Sequence, residues 1–112
     1  MVKQGALIWL DFDPQSGHEQ KGRRPALVIS NETFNKFSNL AIVCPITNAK
    51  KDHPFYVKLD GRTKTTGVIL SDHAKTLDIN ARNYEFIEEV PYDILYDVID
   101  IINGFTEIKT KK

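Results

Sequence analysis

The chain is short of cysteine, of long apolar runs and of net charge, and each shortage excludes a class of protein. Among its 112 residues there is one cysteine, Cys44. No internal disulfide can form, and no cysteine and histidine spacing matches a zinc site, so no metal is expected. Cys44 lies in an apolar run beside Pro45, where a buried and chemically quiet thiol is the expectation. No stretch approaches the roughly 20 apolar residues of a membrane span, and the first ten residues lack the apolar run of a secretory signal. A cytoplasmic protein with no membrane partner is expected. Lys and Arg number 15, as do Asp and Glu, whereas a generic nucleic-acid binder is basic throughout. Internal repeats are absent as well, and the length suits a single domain, residues 1–112, with one core.

The balanced total conceals an uneven distribution. Residues 17–64 hold nine Lys and Arg against four Asp and Glu, and residues 78–107 hold one against eight. A basic face suited to a polyanion or an acidic peptide, with an acidic back, is one reading. Charge blocks that never gather on one face are the other.

The most polar stretch is residues 16–25, Ser-Gly-His-Glu-Gln-Lys-Gly-Arg-Arg-Pro, set between two short apolar runs. It offers a proton acceptor (Glu19), a titratable imidazole (His18), an amide (Gln20) and three cations (Lys21, Arg23, Arg24). Pro25 fixes where the next strand begins and leaves Arg24 at its mouth. Loops of this kind are commonly only solvated surface.

Residues 6–12 are rich in β-formers and are closed by a turn at 13–17, which reads as a first strand. Residues 25–30 form an apolar run of the kind buried on both faces. Residues 31–37 can make a helical turn, with Ser30 or Asn31 as N-cap and Phe34 and Phe37 packing at i and i+3. Residues 40–47 read as a third strand in which Pro45 argues for an edge or a bulge, a bend able to turn the Thr47 hydroxyl out of the core. Residues 55–59 and 67–70 read as a fourth and fifth strand about the turn at Asp60 and Gly61. A polar patch at 71–76 follows. Residues 77–82 read as a last strand entering a turn, and 86–90 are undecided. A helix is expected over 91–103, with Pro91 in its first turn, Gly104 just beyond its end, and Ile94, Leu95, Val98, Ile99 and Ile102 as its core stripe. These elements make a mainly β protein with a C-terminal helix, built on a small, strongly bent sheet or partly open barrel rather than a βαβ sheet.

Several blocks of the sequence resemble the MazF/PemK family of toxin endoribonucleases. They are Leu-Ile-Trp-Leu-Asp-Phe-Asp-Pro at 7–14, Gly-His-Glu-Gln-Lys-Gly-Arg-Arg-Pro at 17–25, Pro-Ile-Thr at 45–47, Thr-Gly-Val at 66–68, and Asp72 with Lys75 and Thr76. The resemblance implies a homodimer of small SH3-like, CcdB-like barrels that cuts single-stranded RNA, usually mRNA, at short sequences. It also implies a metal-independent reaction with no cofactor, 2′,3′-cyclic phosphate and 5′-hydroxyl ends, and neutralisation by an antitoxin lying over the RNA groove. The family's arginine before proline falls on Arg24 and its threonine after the third strand on Thr47. Glu19 falls on an acidic position that assists catalysis in some members, His18 on an RNA-contacting histidine, and Asp72 on a candidate base of the PemK branch. Two positions depart from the pattern: Leu70 replaces an arginine, and His73 stands where glutamine is usual.

Cleavage by the neighbouring 2′-hydroxyl requires that hydroxyl to be deprotonated, the charge on the pentacoordinate phosphorus to be stabilised, and the departing 5′-oxygen to be protonated. A guanidinium at Arg24 can fork onto two phosphate oxygens, the Thr47 hydroxyl can donate to the same phosphate, and Glu19 can accept the 2′-proton. His18, Gln20, Lys21, Arg23, Asp72, His73 and Lys75 are the candidate RNA contacts, with Phe37, His53 and Phe55 as stacking rings. Each has a plainer alternative: Arg24 pairing with Asp11 or Glu19, Thr47 ending its strand, Asp72 capping a turn. The expected partners are single-stranded RNA and an antitoxin with an acidic disordered segment. A non-enzymatic CcdB-like toxin that blocks gyrase and an inactive RNA- or peptide-binding module are the alternative functions.

Overall fold

A computed structural model describes residues 2–13, 22–50 and 52–110. The elements are β1 (Ala6–Asp11), β2 (Arg23–Val28), α1 (Glu32–Ser38), β3 (Ala41–Thr47), β4 (Tyr56–Lys58), β5 (Val68–Leu70), β6 (Lys75–Leu77), β7 (Glu85–Glu89) and α2 (Tyr92–Phe105). Short 3-10 turns occupy Ser71–His73 and Ile79–Arg82. All pairings are antiparallel, in the order β4-β5-β3-β2-β1-β7, with β6 beside β3. Among the described residues no ladder joins β4 to β7, so the sheet is open.

The central strands are buried on both faces because their apolar residues are continuous rather than alternating. On one face Leu7, Leu27, Cys44, Ile46 and Ile69 pack against Ile94, Leu95 and Val98 of α2. On the other, Ile8, Leu10, Phe12, Ala26, Val28 and Val43 gather around Ile79. Each fully buried leucine or isoleucine contributes on the order of 1.5–3 kcal/mol. Cys44 is buried, as expected, and burial, reinforced by the charge of Asp72, pushes its thiol up to about 12.

β3 departs from expectation. It is central rather than an edge, and its proline is accommodated at a break in the neighbouring ladder. Ile29 N–H donates to Ile42 O at 2.9 Å, and antiparallel bonding pairs recur at every second residue. Residues 42, 44 and 46 therefore bond toward β2, and residues 41, 43, 45 and 47 bond toward β5 and β6. Pro45 lacks the N–H that would extend the β5 ladder past Ile46 and Ile69. The chain leaves β5 there, makes the turn Ser71–His73 and returns as β6, where Lys75 pairs with Val43. Thr47 is not turned out of the core: it is only 7 % exposed.

Other expectations change for local reasons. The strand placed at 77–82 is instead β6 (Lys75–Leu77) followed by a 3-10 turn, because Asp78 Oδ1 accepts from Ala81 N–H at 3.3 Å and caps it. The undecided residues at 86–90 contribute to β7, which pairs with β1. Gly104 lies inside α2, with open space where its side chain would be. In α1, Asn31 is the N-cap, but Phe37 is 82 % exposed and the buried residue is Asn35. Its side chain is hydrogen-bonded to Ser30 and donates to Val2 O at 3.3 Å, while Ser30 Oγ accepts from Ile42 N–H at 2.9 Å.

Side chains draw the β4–β5 turn onto the rest of the molecule. Arg62 bonds both carboxylates, Asp60 at 2.8 Å and Asp93 of α2 at 2.9 Å. Glu88 of β7 accepts from Lys64 N–H at 3.1 Å and from Thr65 N–H and Oγ–H, both at 2.8 Å. The Arg62 hydrogen bonds hold Asp60 down to about 2 and Asp93 below its ordinary value. A depressed carboxylate stabilises the fold above its unfolded pKa, and that stabilisation disappears as pH falls through the folded value. Wild type should therefore lose thermal stability from about pH 4 down to about pH 2 more steeply than Arg62→Ala, as followed by the unfolding midpoint.

Candidate active site

Arg24 and Thr47 come together through a second missing hydrogen bond. The register Ala26 with Pro45 and Leu27 with Cys44, continued by two residues, sets Pro25 beside Ile46 and Arg24 beside Thr47. Pro25 and Ile46 form a bonding pair by the alternation above, yet Pro25 has no N–H to give. The Ile46 carbonyl accepts instead from Arg24 Nη1 at 3.4 Å. The guanidinium is thus held at the open end of the β2–β3 seam, beside the residue that precedes Thr47. Thr47 Oγ1 accepts from Ala49 N–H at 3.1 Å.

The turn before β5 supports Thr47 by close approach. Gly67 has φ +123°, and a Cβ added there would lie 2.6 Å from Thr47 O. No other residue type fits without moving that backbone.

The remaining expected residues are distributed as follows. Lys75 sits across from Val43 on the face that Arg24 and Thr47 share, with Nζ 5.9 Å from the centroid of Phe12. Asp72 and His73 occupy the 3-10 turn just before it, Nε2 to Oδ1 3.8 Å. Burial, and then the charge of Asp72, raise the phenol of Tyr56 above its ordinary value. Leu70 is fully buried and pairs with Tyr56, so the position of the family arginine is filled by a core side chain. His53 and Phe55 form an aromatic group with Tyr56 and Phe105. Phe37 lies apart on α1. His18, Glu19, Gln20 and Lys21 lie outside the described residues.

Arg23 faces away from Arg24 because successive strand residues alternate. It bonds Asp11 at 3.0 Å, Asn83 O at 2.9 Å and Glu85 at 3.5 Å. The other Asp11 oxygen accepts from Asn83 Nδ2 at 2.9 Å, and Arg82 donates to the carbonyls of Asp11 and Asp13 at 3.2 Å. Hydrogen bonds from Asn83, then from Arg23, hold the Asp11 carboxyl below its usual range. The pairing of Arg24 with Asp11 weighed above is therefore replaced by this network. Sequence reasoning missed Arg82, Asn83 and Glu88, which lie far along the chain from the residues they fasten.

Residues 3–105 match the PemK-like, MazF-like toxin family of type II toxin–antitoxin systems. The chain belongs to this family. It is 40 % identical over 102 residues to endoribonuclease PemK of Escherichia coli, covering 88 % of this chain and 77 % of that protein. It is 42 % identical over 78 residues to endoribonuclease toxin MazF of Escherichia coli K12, 70 % of this chain and 69 % of that one. The structure resembles MazF from Deinococcus radiodurans with a TM-score of 0.88 and 41 % identity, covering 93 % and 94 % of the two chains. MazF in the MazE–MazF complex of the same organism gives 0.82 at 38 %, again over 93 % and 94 %. The MazF-like fold of this chain makes a strict demand at Gly67. Gly67→Ala should lower stability by roughly 1–3 kcal/mol, read as a reduced unfolding midpoint, and should shift the amide resonances of Thr47 and its neighbours.

Proposed function

We propose that this chain is an endoribonuclease toxin that cuts single-stranded RNA, usually mRNA, at short sequences and is held in check by an antitoxin. The observation that carries the reading is the guanidinium of Arg24 on the carbonyl of Ile46, one residue from the Thr47 hydroxyl. A planar fork beside a hydroxyl is suited to grip a phosphodiester and to stabilise the extra negative charge of its pentacoordinate state. Thr47 Oγ1 already accepts from Ala49 N–H, so what it can offer a phosphate is its own proton. In this reading Glu19 accepts the proton of the 2′-hydroxyl, which attacks phosphorus in line as the bond to the 5′-oxygen breaks. The products are a 2′,3′-cyclic phosphate and a 5′-hydroxyl. His18 is the loop residue able to deliver a proton to the departing oxygen.

The relatives named above are endoribonucleases, and one of the structural neighbours is a toxin bound to its antitoxin. By the same reading the chain works in the cytoplasm as a homodimer. Among the described residues no helix is long and apolar enough to cross a membrane. An acidic, partly disordered antitoxin segment competes with RNA for the face that carries Arg24 and Lys75.

The purified protein should cut RNA in excess EDTA, and Arg24→Ala should slow cutting by at least about a hundredfold with an unchanged circular dichroism spectrum. Intact RNA after incubation with wild type, or full cutting by Arg24→Ala, overturns the assignment. Simultaneous binding of antitoxin and RNA without mutual weakening, seen in a competition titration, overturns the shared face.

A further inference from the structure

β7 is the last strand of the sheet, and among the described residues no strand pairs with its outer edge. Cross-strand partners share a face. Phe86 and Glu89 lie opposite Ile8 and Ala6, on the face that gathers around Ile79, whereas Glu85 and Glu88 lie opposite Trp9 and Leu7, on the face toward α2. Phe86 is 58 % exposed. It forms one wall of a cavity of about 310 Å³ shared with Val2, Ala6 and Tyr84, and Lys3 and Glu89 complete the lining. An open edge beside an apolar crevice is the arrangement by which sheets take up an extended peptide, main-chain bonds supplying affinity and the crevice selecting a side chain.

The charges on β7 decide what that peptide can be. A second β7 is disfavoured, because antiparallel pairing centred on Ile87 sets Glu85 against Glu89, and like charges directly opposite destabilise a ladder. A basic strand is favoured. The chain itself carries one: after α2, residues 107–110 read Glu-Ile-Lys-Thr, and Lys111 and Lys112 follow. Ile108 and Thr110, both β-branched, alternate with Lys109 and Lys111, which is a strand pattern. Yet residues 107–110 form no element, and Ile108 is 94 % exposed. In its own chain Phe105 packs on Phe55 at the start of β4, ring centroids 4.7 Å apart, and β4 stands at the opposite end of the strand order from β7. Three extended residues beyond Phe105 reach only about 10 Å, so the tail that meets β7 comes from another copy.

We propose that residues 107–110 of one copy add to the outer edge of β7 of a second copy as an antiparallel strand, with Ile108 seated in the crevice beside Phe86. The antiparallel register that sets Ile108 against Phe86 also sets Lys109 against Glu85, whereas the parallel one sets Glu107 against Glu85. Glu85 lies 3.5 Å from Arg23, and Lys109 exchanges its pairing with Glu107 at 3.0 Å for the new one. Both existing pairs are exposed, so little is lost in the exchange. Donor and acceptor are different patches of the surface, and the contact is therefore heterologous, joining copies head to tail. It stands apart from the nuclease reading, because neither Phe86 nor Ile108 belongs to the candidate active site.

Sedimentation velocity of the full chain provides the test. Wild type should form species above its smallest assembly that grow with concentration, and added salt should reduce them by screening the Lys109 and Glu85 pair. Ile108→Asp and Phe86→Lys, both at exposed positions, should each raise the concentration needed for this growth by about ten- to a hundredfold, the factor for losing one buried apolar side chain. Their circular dichroism spectra should match that of wild type. Mixing the two variants should restore association, because the first keeps the edge and the second keeps the tail. Three results overturn the assignment. They are a wild type that stays one species at every concentration, growth that Ile108→Asp leaves unchanged, as pairing between two β7 edges would give, and a mixture of the variants that stays apart.

Discussion

Proline interrupts the hydrogen-bond ladder of β3 on both of its borders, and the candidate functional residues lie at those two interruptions. Toward β2, Pro25 has no N–H for the carbonyl of Ile46, and Arg24 supplies the donor. Toward β5, Pro45 has none for Leu70, and the chain turns away through Ser71–His73 before rejoining β3 with Lys75. A buried backbone acceptor left without a partner costs about 1–3 kcal/mol. Arg24 therefore has a structural reason to be held at the seam before any substrate arrives, and this preorganisation is what a phosphate-binding group needs.

Neighbouring arginines take unlike parts for a reason as simple as strand pleating. Arg24 lies across from Leu10 and Thr47, while Arg23 turns to the opposite side and joins Asp11, Glu85 and Asn83. Exposed ion pairs are individually weak. This group gains significance from connectivity, because it ties β1, β2, β7 and the turn Ile79–Arg82 together on one side of the sheet. Phe12 N–H donates to Gly22 O at 3.0 Å, and Gly22 N–H donates to Asp13 at 3.1 Å, so the chain is fastened on both sides of residues 14–21.

Much of this was legible in the sequence. Strands with continuous apolar runs are recognisable because both of their faces must be covered, and 25–30 shows this plainly: Ala26, Leu27 and Val28 are all fully buried. The stripe of α2 followed from helical spacing, and Arg24 and Thr47 were found through motifs at the mouths of their strands. β6 was obscured because Lys75, Thr76 and Leu77 look like a polar patch until the break at Pro45 requires a new partner for β3. β7 was undecided because Glu85, Glu88 and Glu89 disguise a strand that has one open edge. The networks about Asp11 and Glu88 join residues 12 or more positions apart, and no local pattern encodes such partners.

The fastening of the β4–β5 turn by Glu88 has a further consequence. Burial opposes the charge on that carboxylate, but the bonds from Thr65 and Lys64 outweigh it and hold its pKa below the usual carboxylate range. The two rims of the sheet are thus joined by a group that protonation disables, while every ladder between strands is indifferent to acid. The amides of Lys64 and Thr65 should be protected from deuterium exchange at neutral pH, although they lie in a turn, and should lose that protection relative to the intrinsic rate once Glu88 is neutral. The β4–β5 turn can loosen from β7 in this way with the sheet itself intact.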